Sequence, residues 1–242
     1  LEIGVFMLEK GHIVLIISLL VNVLLLGTGS YVVRNIGGLE VVKTKMQSTP
    51  SPNKDSAYYF TKKSVFEHSS ISNIDKVFIG DSISDYGEFQ EYFPGEVVLN
   101  RGIRNDGTEG LMNRIQEVVD RNPKEAYLMI GVNDIRYGTE AEVFKSNVEK
   151  IVDSFEGKDT RLTIQSILPV NNGLLGNEVT NDKVKQFNII LQQIADDKGI
   201  EYIDLHSSFI DKNGQLDKQF TGDGLHLNGK GYEVWVDRLR LK

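Results

Sequence analysis

From residue 76 onward the sequence alternates short apolar runs with longer stretches of helical period, and few architectures accept that pattern. Apolar runs without polar alternation suit strands buried on both faces, as in parallel sheets covered by helices. Strands are expected at 76–79, 96–100, 126–130, 161–166 and 200–204. Between them, helical periods are expected at 107–121, 140–156 and 182–198, with a final amphipathic helix over 229–240. The second of these opens on Thr139-Glu140-Ala141-Glu142, a capping-box spacing, and puts 144, 148, 151, 152 and 155 on one stripe. The third aligns Val184, Phe187, Leu191 and Ile194. The fold class that follows is α/β, with a mostly parallel five-stranded sheet between helices.

The segment ahead of this pattern is of a different kind. Residues 13–33 carry no charge, and Asn22 is their one strongly polar interruption. A helix of that length spans a bilayer core of about 30 Å, so an N-terminal transmembrane helix is expected. A signal-peptide core is the alternative, with Gly27 and Gly29 near a cut; the anchor reading is preferred because apolar character runs on through Tyr31-Val32-Val33. Lys10 precedes the segment, while Arg34, Lys43 and Lys45 follow it. Read literally, the positive-inside rule keeps the main domain cytoplasmic, but long domains translocate regardless of charge, and an extracytoplasmic domain is expected here. The first Met is Met7, a candidate start. The expected division is a tail at 1–12, the anchor at 13–33, a polar linker at 34–54 and the main domain at 55–242, opening with a short helix over 55–67 capped by Asp55.

Composition excludes several chemistries. Net charge is −7 with no basic cluster in the domain, which argues against nucleic acid as a partner. No cysteine is present, so thiol catalysis, cysteine-ligated zinc and disulfides are excluded. Asp81 and Asp134 have no further ligand at metal-binding spacing, and no metal or other cofactor is expected.

In an open parallel sheet, ligands bind beyond the carboxyl ends of the strands. Polar clusters stand at those ends: Gly80-Asp81-Ser82 after the first expected strand, Asn100-Arg101-Gly102 after the second, Gly131-Val132-Asn133-Asp134 after the third. Taken alone, Ser82 reads as a turn or helix cap. As a nucleophile it needs a base, an orienting group and oxyanion donors. Of four histidines, His12 adjoins the apolar segment and His68 lies in a polar stretch. His206 follows the last strand, and His226 stands three residues after Asp223 in Gly222-Asp223-Gly224-Leu225-His226. That spacing lets the carboxylate curl onto the imidazole.

The blocks Gly80-Asp81-Ser82-Ile83, Asn100-Arg101-Gly102, Gly131-Val132-Asn133-Asp134 and Asp223-Gly224-Leu225-His226 resemble, in this order, those of the SGNH hydrolases, or GDSL esterases and lipases. The stretches "SILPVNN" and "LNGKGY" look closest to the platelet-activating-factor acetylhydrolase-like bacterial acyl and acetyl esterases. The resemblance implies a three-layer α/β/α, flavodoxin-like domain. It implies Ser82 as nucleophile, His226 as base and Asp223 as its orienter. The oxyanion hole would be the Ser82 and Gly102 N–H groups with the Asn133 amide; His206 matches no block and is assigned to structure. The implied activity is a serine esterase that hydrolyses small acyl esters, acetyl above all, of carbohydrate or lipid through an acyl-enzyme. Alternatives are an acetyltransferase acting on cell-surface polysaccharide with the same residues, and a non-catalytic carbohydrate-binding domain. Arg101, Arg104 and Asp106 either face substrate or lie in an exposed loop. The glycine- and asparagine-rich stretch 171–182 is expected to shape the pocket. Residues 224–231 have phosphate-loop spacing but lack the Ser or Thr that would hold magnesium, and position 84 is Ser, so no G-x-S-x-G elbow is present.

Overall fold

The computed structural model describes residues 10–35 and 56–241. Two compact units divide the chain, residues 1–50 and 51–242. In the first, α1 (Lys10–Asn35) is a 26-residue helix. Its polar side chains bond within it: Asn22 donates to the Ser18 carbonyl at 2.9 Å and Thr28 to that of Leu24 at 2.9 Å. A helix therefore forms over the expected segment, but among the described residues no helix is long and apolar enough to cross a membrane. The transmembrane expectation is not supported at that point. Most of the expected tail and linker, with Asp55, lies outside the described residues.

The second unit is a three-layer α/β/α domain. Its sheet comprises β1 (Lys76–Gly80), β2 (Val98–Gly102), β3 (Glu125–Met129), β4 (Arg161–Gln165) and β5 (Glu201–Ile203). Their order is β2-β1-β3-β4-β5, and every pairing is parallel. Gly80 is in register with Gly102 on one side and Met129 on the other, so three strands end level at one rim. The chain leaves β1 for β2, then crosses back to β3 on the opposite flank. That reversal opens a crevice at the carboxyl end of β1, where open α/β sheets bind ligands.

Helices clothe the sheet: α2 (Ala57–Glu67), α3 (Ser82–Asp85), α4 (Thr108–Met112), α5 (Ile115–Arg121), α6 (Val132–Arg136), α7 (Ala141–Asp153), α8 (Asn181–Lys198) and α9 (Gly229–Arg240). The stripes read from sequence are the buried ones: Phe144, Val148, Ile151 and Val152 on α7; Val184, Phe187, Leu191 and Ile194 on α8. On α9, Trp235 is fully buried edge-on against Phe78 of β1 and against Phe89. Burying a side chain of that class contributes about 1.5–3 kcal/mol. Near the start of the same helix, the Tyr232 hydroxyl donates to the Ile83 carbonyl at 2.7 Å, tying the chain's last helix to the turn after β1.

Three local expectations are corrected. The single helix at 107–121 is two, because Arg114 leaves helical geometry (φ −139°) to reach buried partners described below. Thr139 does not cap α7: the N-cap is Glu140, with no side-chain bond, and the Thr139 N–H donates to the Asp134 carbonyl. Ser56, not Asp55, caps α2, accepting from the Tyr59 N–H at 3.1 Å.

Candidate active site

The chain turns sharply after β1. Asp81 caps α3 by accepting the Ile83 N–H at 2.9 Å, which leaves Ser82 as the first residue of that short helix, on the rim. Ser82 is buried. Its hydroxyl lies 3.0 Å from His226 Nε2, although 144 residues separate them. His226 Nδ1 is 2.6 Å from Asp223 Oδ2. These contacts put a proton on Nδ1, donated to the carboxylate, and leave Nε2 to accept from Ser82.

The turn that carries Asp223 and His226 is held from several sides. Asp223 Oδ1 accepts the backbone N–H groups of Leu225 (2.9 Å) and His226 (2.8 Å). Leu225 and Leu227 are buried, and Asn228 caps α9 immediately afterwards. Partial burial works to raise the Asp223 pKa, but the bonds from His226 and Leu225 and the nearby imidazole overcome it and lower it to about 2. Asp223 is thus a carboxylate throughout the neutral range. The Tyr86 ring sits 4.9 Å from that of His226.

Asn133 reaches the same cleft from α6. Gly131 makes this possible: its φ is +133°, and a Cβ there would stand 2.6 Å from Ile167 and 2.9 Å from Phe144. The Asn133 side-chain amide donates one hydrogen to the Asp106 carbonyl at 2.8 Å, and the residue lines the cleft beside Ser82. An uncharged amide held in this way is a preorganised donor for a developing oxyanion.

Gly102 does not stand as expected. Its N–H donates to Asn100 Oδ1 at 2.8 Å, within the residue's own turn. A Cβ there would collide with α3, coming 2.6 Å from the Ser84 carbonyl carbon. Gly102 is therefore a packing glycine that lets α3 lie close over β2. Asn100 completes the clamp, donating its amide to the Ser84 (2.6 Å) and Gly87 (2.8 Å) carbonyls. Beyond β2 the cleft is lined by Arg104 and Asn105, of which Asn105 adopts a left-handed conformation (φ +66°) and has its side-chain oxygen braced by the Tyr137 hydroxyl.

Beneath the rim lies a polar layer. Arg114 is buried and donates to Asp106 Oδ2 (2.8 Å) and to the carbonyls of Arg101 (2.7 Å) and Gly80 (2.9 Å). It thereby fastens the ends of β1 and β2 together. Asp134 accepts from the Thr108 hydroxyl (2.5 Å) and N–H (3.0 Å). Burial pushes the carboxyl pKa values up, to about 7 for Asp81 and about 6 for Asp134; the charge of Asp106 adds to both, and that of Asp134 adds to the effect on Asp81. Both brace the rim through these bonds, Asp81 on the Ile83 N–H and Asp134 on Thr108.

Other expectations sort as follows. Arg104 lines the cleft, whereas Arg101 turns inward to Glu117 and Asp106 is buried under Arg114. His206 lies in a separate depression with Lys185 and Tyr202. The stretch 171–182 does not line the cleft; Asn171 instead braces the Asp223 turn by donating its N–H to the Gly224 carbonyl at 2.8 Å. The cleft has a volume of about 410 Å³. A larger depression of about 520 Å³ lies at the amino ends of β4 and β5, the wrong end of the sheet for a ligand and away from Ser82. Five cleft residues escaped the sequence reading: Ser56 and Tyr58 from the start of α2, and Tyr86, Asn105 and Arg136.

The chain is similar in sequence and fold to several known proteins. Residues 78–234 match the model of the GDSL-like lipase/acylhydrolase family. The N-acylneuraminate cytidylyltransferase of Streptococcus agalactiae serotype V is 24% identical over 175 residues, covering 68% of this chain and 39% of that protein. The chain thus spans about two-fifths of the length of that relative. The platelet-activating factor acetylhydrolase IB subunit alpha2 of Rattus norvegicus is 26% identical over 167 residues, covering 65% of this chain and 71% of the relative. Among solved structures, one from Streptococcus pneumonia, provisionally assigned as a platelet activating factor, is 28% identical with a TM-score of 0.69, covering 76% of this chain and 91% of that one. A GDSL-like lipase of Bacteroides thetaiotaomicron shares the fold at 18% identity, with a TM-score of 0.66 over 78% of this chain and 96% of that one. The family match runs from within β1 into α9 and takes in Ser82, Asn133, Asp223 and His226, so the chain belongs to the GDSL-like lipase/acylhydrolase family, a family of ester-bond hydrolases.

Proposed function

We propose that this protein is a serine esterase that removes small acyl groups, acetyl foremost, from carbohydrate or lipid esters through an acyl-enzyme. The observation that carries the reading is the chain of contacts from Ser82 Oγ to His226 Nε2 (3.0 Å) and from His226 Nδ1 to Asp223 (2.6 Å). Ser82 attacks the ester carbonyl as His226 takes its proton, and Asp223 stabilises the imidazolium that forms. The Asn133 amide and the Ser82 N–H meet the oxyanion, and we assign the place expected of Gly102 to the N–H of Asn105, a residue that lines the cleft. His226 then returns its proton to the leaving alcohol, and water releases the acyl group by the reverse sequence. The name of one relative, an acetylhydrolase, supports a small acyl group.

Purified protein should be labelled at Ser82 by a fluorophosphonate and should release acetate from p-nitrophenyl acetate, with both lost in Ser82→Ala. Failure of both in the unaltered protein overturns the reading; acetylated sugar in place of free acetate, when a sugar acceptor is present, would make it a transferase. Attachment to a membrane through 13–33 and an extracytoplasmic position rest on the charge-free sequence alone. Recovery of the unaltered full chain in the soluble fraction of cells would overturn the attachment, and protease resistance on intact cells the position.

A further inference from the structure

Asp85 closes the short helix that Ser82 opens, and its carboxylate stands where three segments meet. The side chain is only 3% exposed. One oxygen, Oδ2, accepts the backbone N–H of Arg104 at 3.1 Å and the Tyr58 hydroxyl, and the other, Oδ1, pairs with Lys62 Nζ at 2.7 Å. We propose that Asp85 is a positioning residue for the reaction: it holds the Ser82 helix and the turn carrying Asn105 at a fixed separation, so that the N–H groups of Ser82 and Asn105 converge on one oxygen. The inference rests on the serine-esterase reading above, in which those two groups meet the oxyanion.

The turn after β2 is bonded so as to leave one donor spare. The Ile103 N–H donates to the Gly80 carbonyl at 3.1 Å, that of Arg104 to Asp85, and that of Asp106 to the Ile103 carbonyl at 3.2 Å. The N–H between the last two, that of Asn105, has no acceptor among the described residues. Such a donor stabilises an oxyanion only if it is already aimed, and a misplacement of about 1 Å can cost about 10²-fold in rate. Asn100 fastens β2 under α3 at the base of the turn. Asp85 repeats that attachment one residue from the donor itself.

A carboxylate three residues from Ser82 opposes negative charge forming on the substrate, and the Lys62 ammonium offsets it at 2.7 Å. Lys62 and Tyr58 both belong to α2, which is itself fixed to the domain. The Tyr59 hydroxyl donates to the Gly110 carbonyl at 2.7 Å, and Arg121 donates to the carbonyls of Phe66, Ser69 and Ile71, each at 2.8 Å. The Arg104 side chain packs over the Tyr58 ring at 4.1 Å, so α2 holds the turn twice, through Asp85 and directly. This helix lies ahead of residues 78–234, which the family model matches. The brace therefore draws on a helix outside the matched core.

The test sets catalysis against stability in variants of Asp85 and Tyr58. Hydrolysis of p-nitrophenyl acetate gives kcat and KM, and inhibition by trifluoroacetone gives a Ki that reads the oxyanion donors. In that complex Ser82 Oγ bonds to the ketone carbon, His226 takes the serine proton and the carbonyl π pair moves onto oxygen, with no leaving group. Asp85→Ala should lower kcat about tenfold or more, keep KM within about twofold and raise Ki by a factor similar to the loss in kcat. Asp85→Asn keeps an acceptor for the Arg104 N–H and should lose only a few-fold, as should Tyr58→Phe, which removes one bond to Oδ2. Val148→Ala, in the buried stripe of α7, should lower the thermal melt and leave kcat and Ki as they are, which separates positioning from general loss of stability. A folded Asp85→Ala with kcat and Ki within about twofold of the unaltered protein overturns the proposal, and so does a fall in kcat with no change in Ki. Where Asp85→Ala does not fold, Asp85→Asn and Tyr58→Phe decide in its place, and unchanged kcat and Ki in both overturn it. Fluorophosphonate labelling of Ser82 in the unaltered protein keeps the two readings apart. Labelled protein with a failed Asp85 test remains an esterase, whereas absent labelling and absent hydrolysis remove the esterase and this role with it.

Discussion

Replacing Asp223 by Asn tests the orienting role of its carboxylate with almost no change of shape. One carboxylate oxygen accepts two backbone N–H groups, those of Leu225 and His226, and the other faces His226 Nδ1 at 2.6 Å. Asparagine has one acceptor where aspartate has two. If its oxygen keeps the two backbone bonds, its NH2 confronts Nδ1, and the imidazole must carry its proton on Nε2. That tautomer presents a donor to Ser82 and cannot act as its base. If the amide flips, the tautomer is right, but two backbone donors lose their acceptor. Each lost bond costs about 0.5–1.5 kcal/mol, so the productive arrangement is disfavoured by roughly 1–3 kcal/mol. The lost negative charge beside the imidazolium adds to this, at a discount because the Asp223 side chain is 55% exposed and water shares the work.

At about 1.4 kcal/mol per tenfold, these contributions amount to a loss of about 10–10³ in kcat. The assay is steady-state hydrolysis of p-nitrophenyl acetate at neutral pH, together with the rate of fluorophosphonate labelling of Ser82. Both should fall by similar factors with little change in KM, while the thermal melt stays close to that of the unaltered protein. A fall of less than about fivefold in a folded variant would refute the argument. The carboxylate also leaves a signature in stability. Its pKa is lowered to about 2 in the folded state against an ordinary value near 3.8. Its contribution is therefore complete above about pH 4 and disappears as pH falls through about 2.

Three further perturbations probe the scaffold under the site. Arg114→Met strips the buried guanidinium from Asp106 and from the Gly80 and Arg101 carbonyls, and urea unfolding should show a loss of about 3–5 kcal/mol, as for a buried charge left unpaired. Asp81→Asn keeps an oxygen for the Ile83 N–H and removes a carboxyl whose pKa burial raises to about 7. The folded carboxyl holds a proton between about pH 4 and 7 that the unfolded chain has released, so stability of the unaltered protein should fall as pH rises through that window, by at most about 1.4 kcal/mol per unit. In the variant that slope should flatten, which urea titrations at pH 5 and pH 8 would show. Asn100→Ala removes the clamp on the Ser84 and Gly87 carbonyls and frees the Gly102 N–H. It should lower both stability, by about 1–3 kcal/mol, and kcat, although Asn100 touches no reacting atom. A variant with unaltered kcat would show that α3 holds its place without it.

How much of this was legible depends on whether the cause of a feature is local. The five strands fell within about two residues of their expected bounds, because a strand covered on both faces has to be apolar along its length. The stripes of α7 and α8 were equally plain. The break at Arg114 was not, since 107–121 keeps a helical period and the pull that ends it comes from carbonyls on β1 and β2. Nothing in the short helix expected over 55–67 singles out Tyr58; its partner Arg104 lies 46 positions away and meets it only in the folded chain. Gly102 shows the limit most clearly. A missing Cβ has two uses, access to the backbone N–H or close packing of another segment, and sequence does not distinguish them. A signal did exist three residues further on. Asn105-Asp106-Gly107 is turn chemistry, and asparagine is a residue that tolerates the left-handed conformation found there. A left-handed residue at the end of a buried strand redirects its neighbouring N–H groups out of the ladder. The turn itself, rather than the glycine before it, is therefore where an oxyanion donor is to be sought.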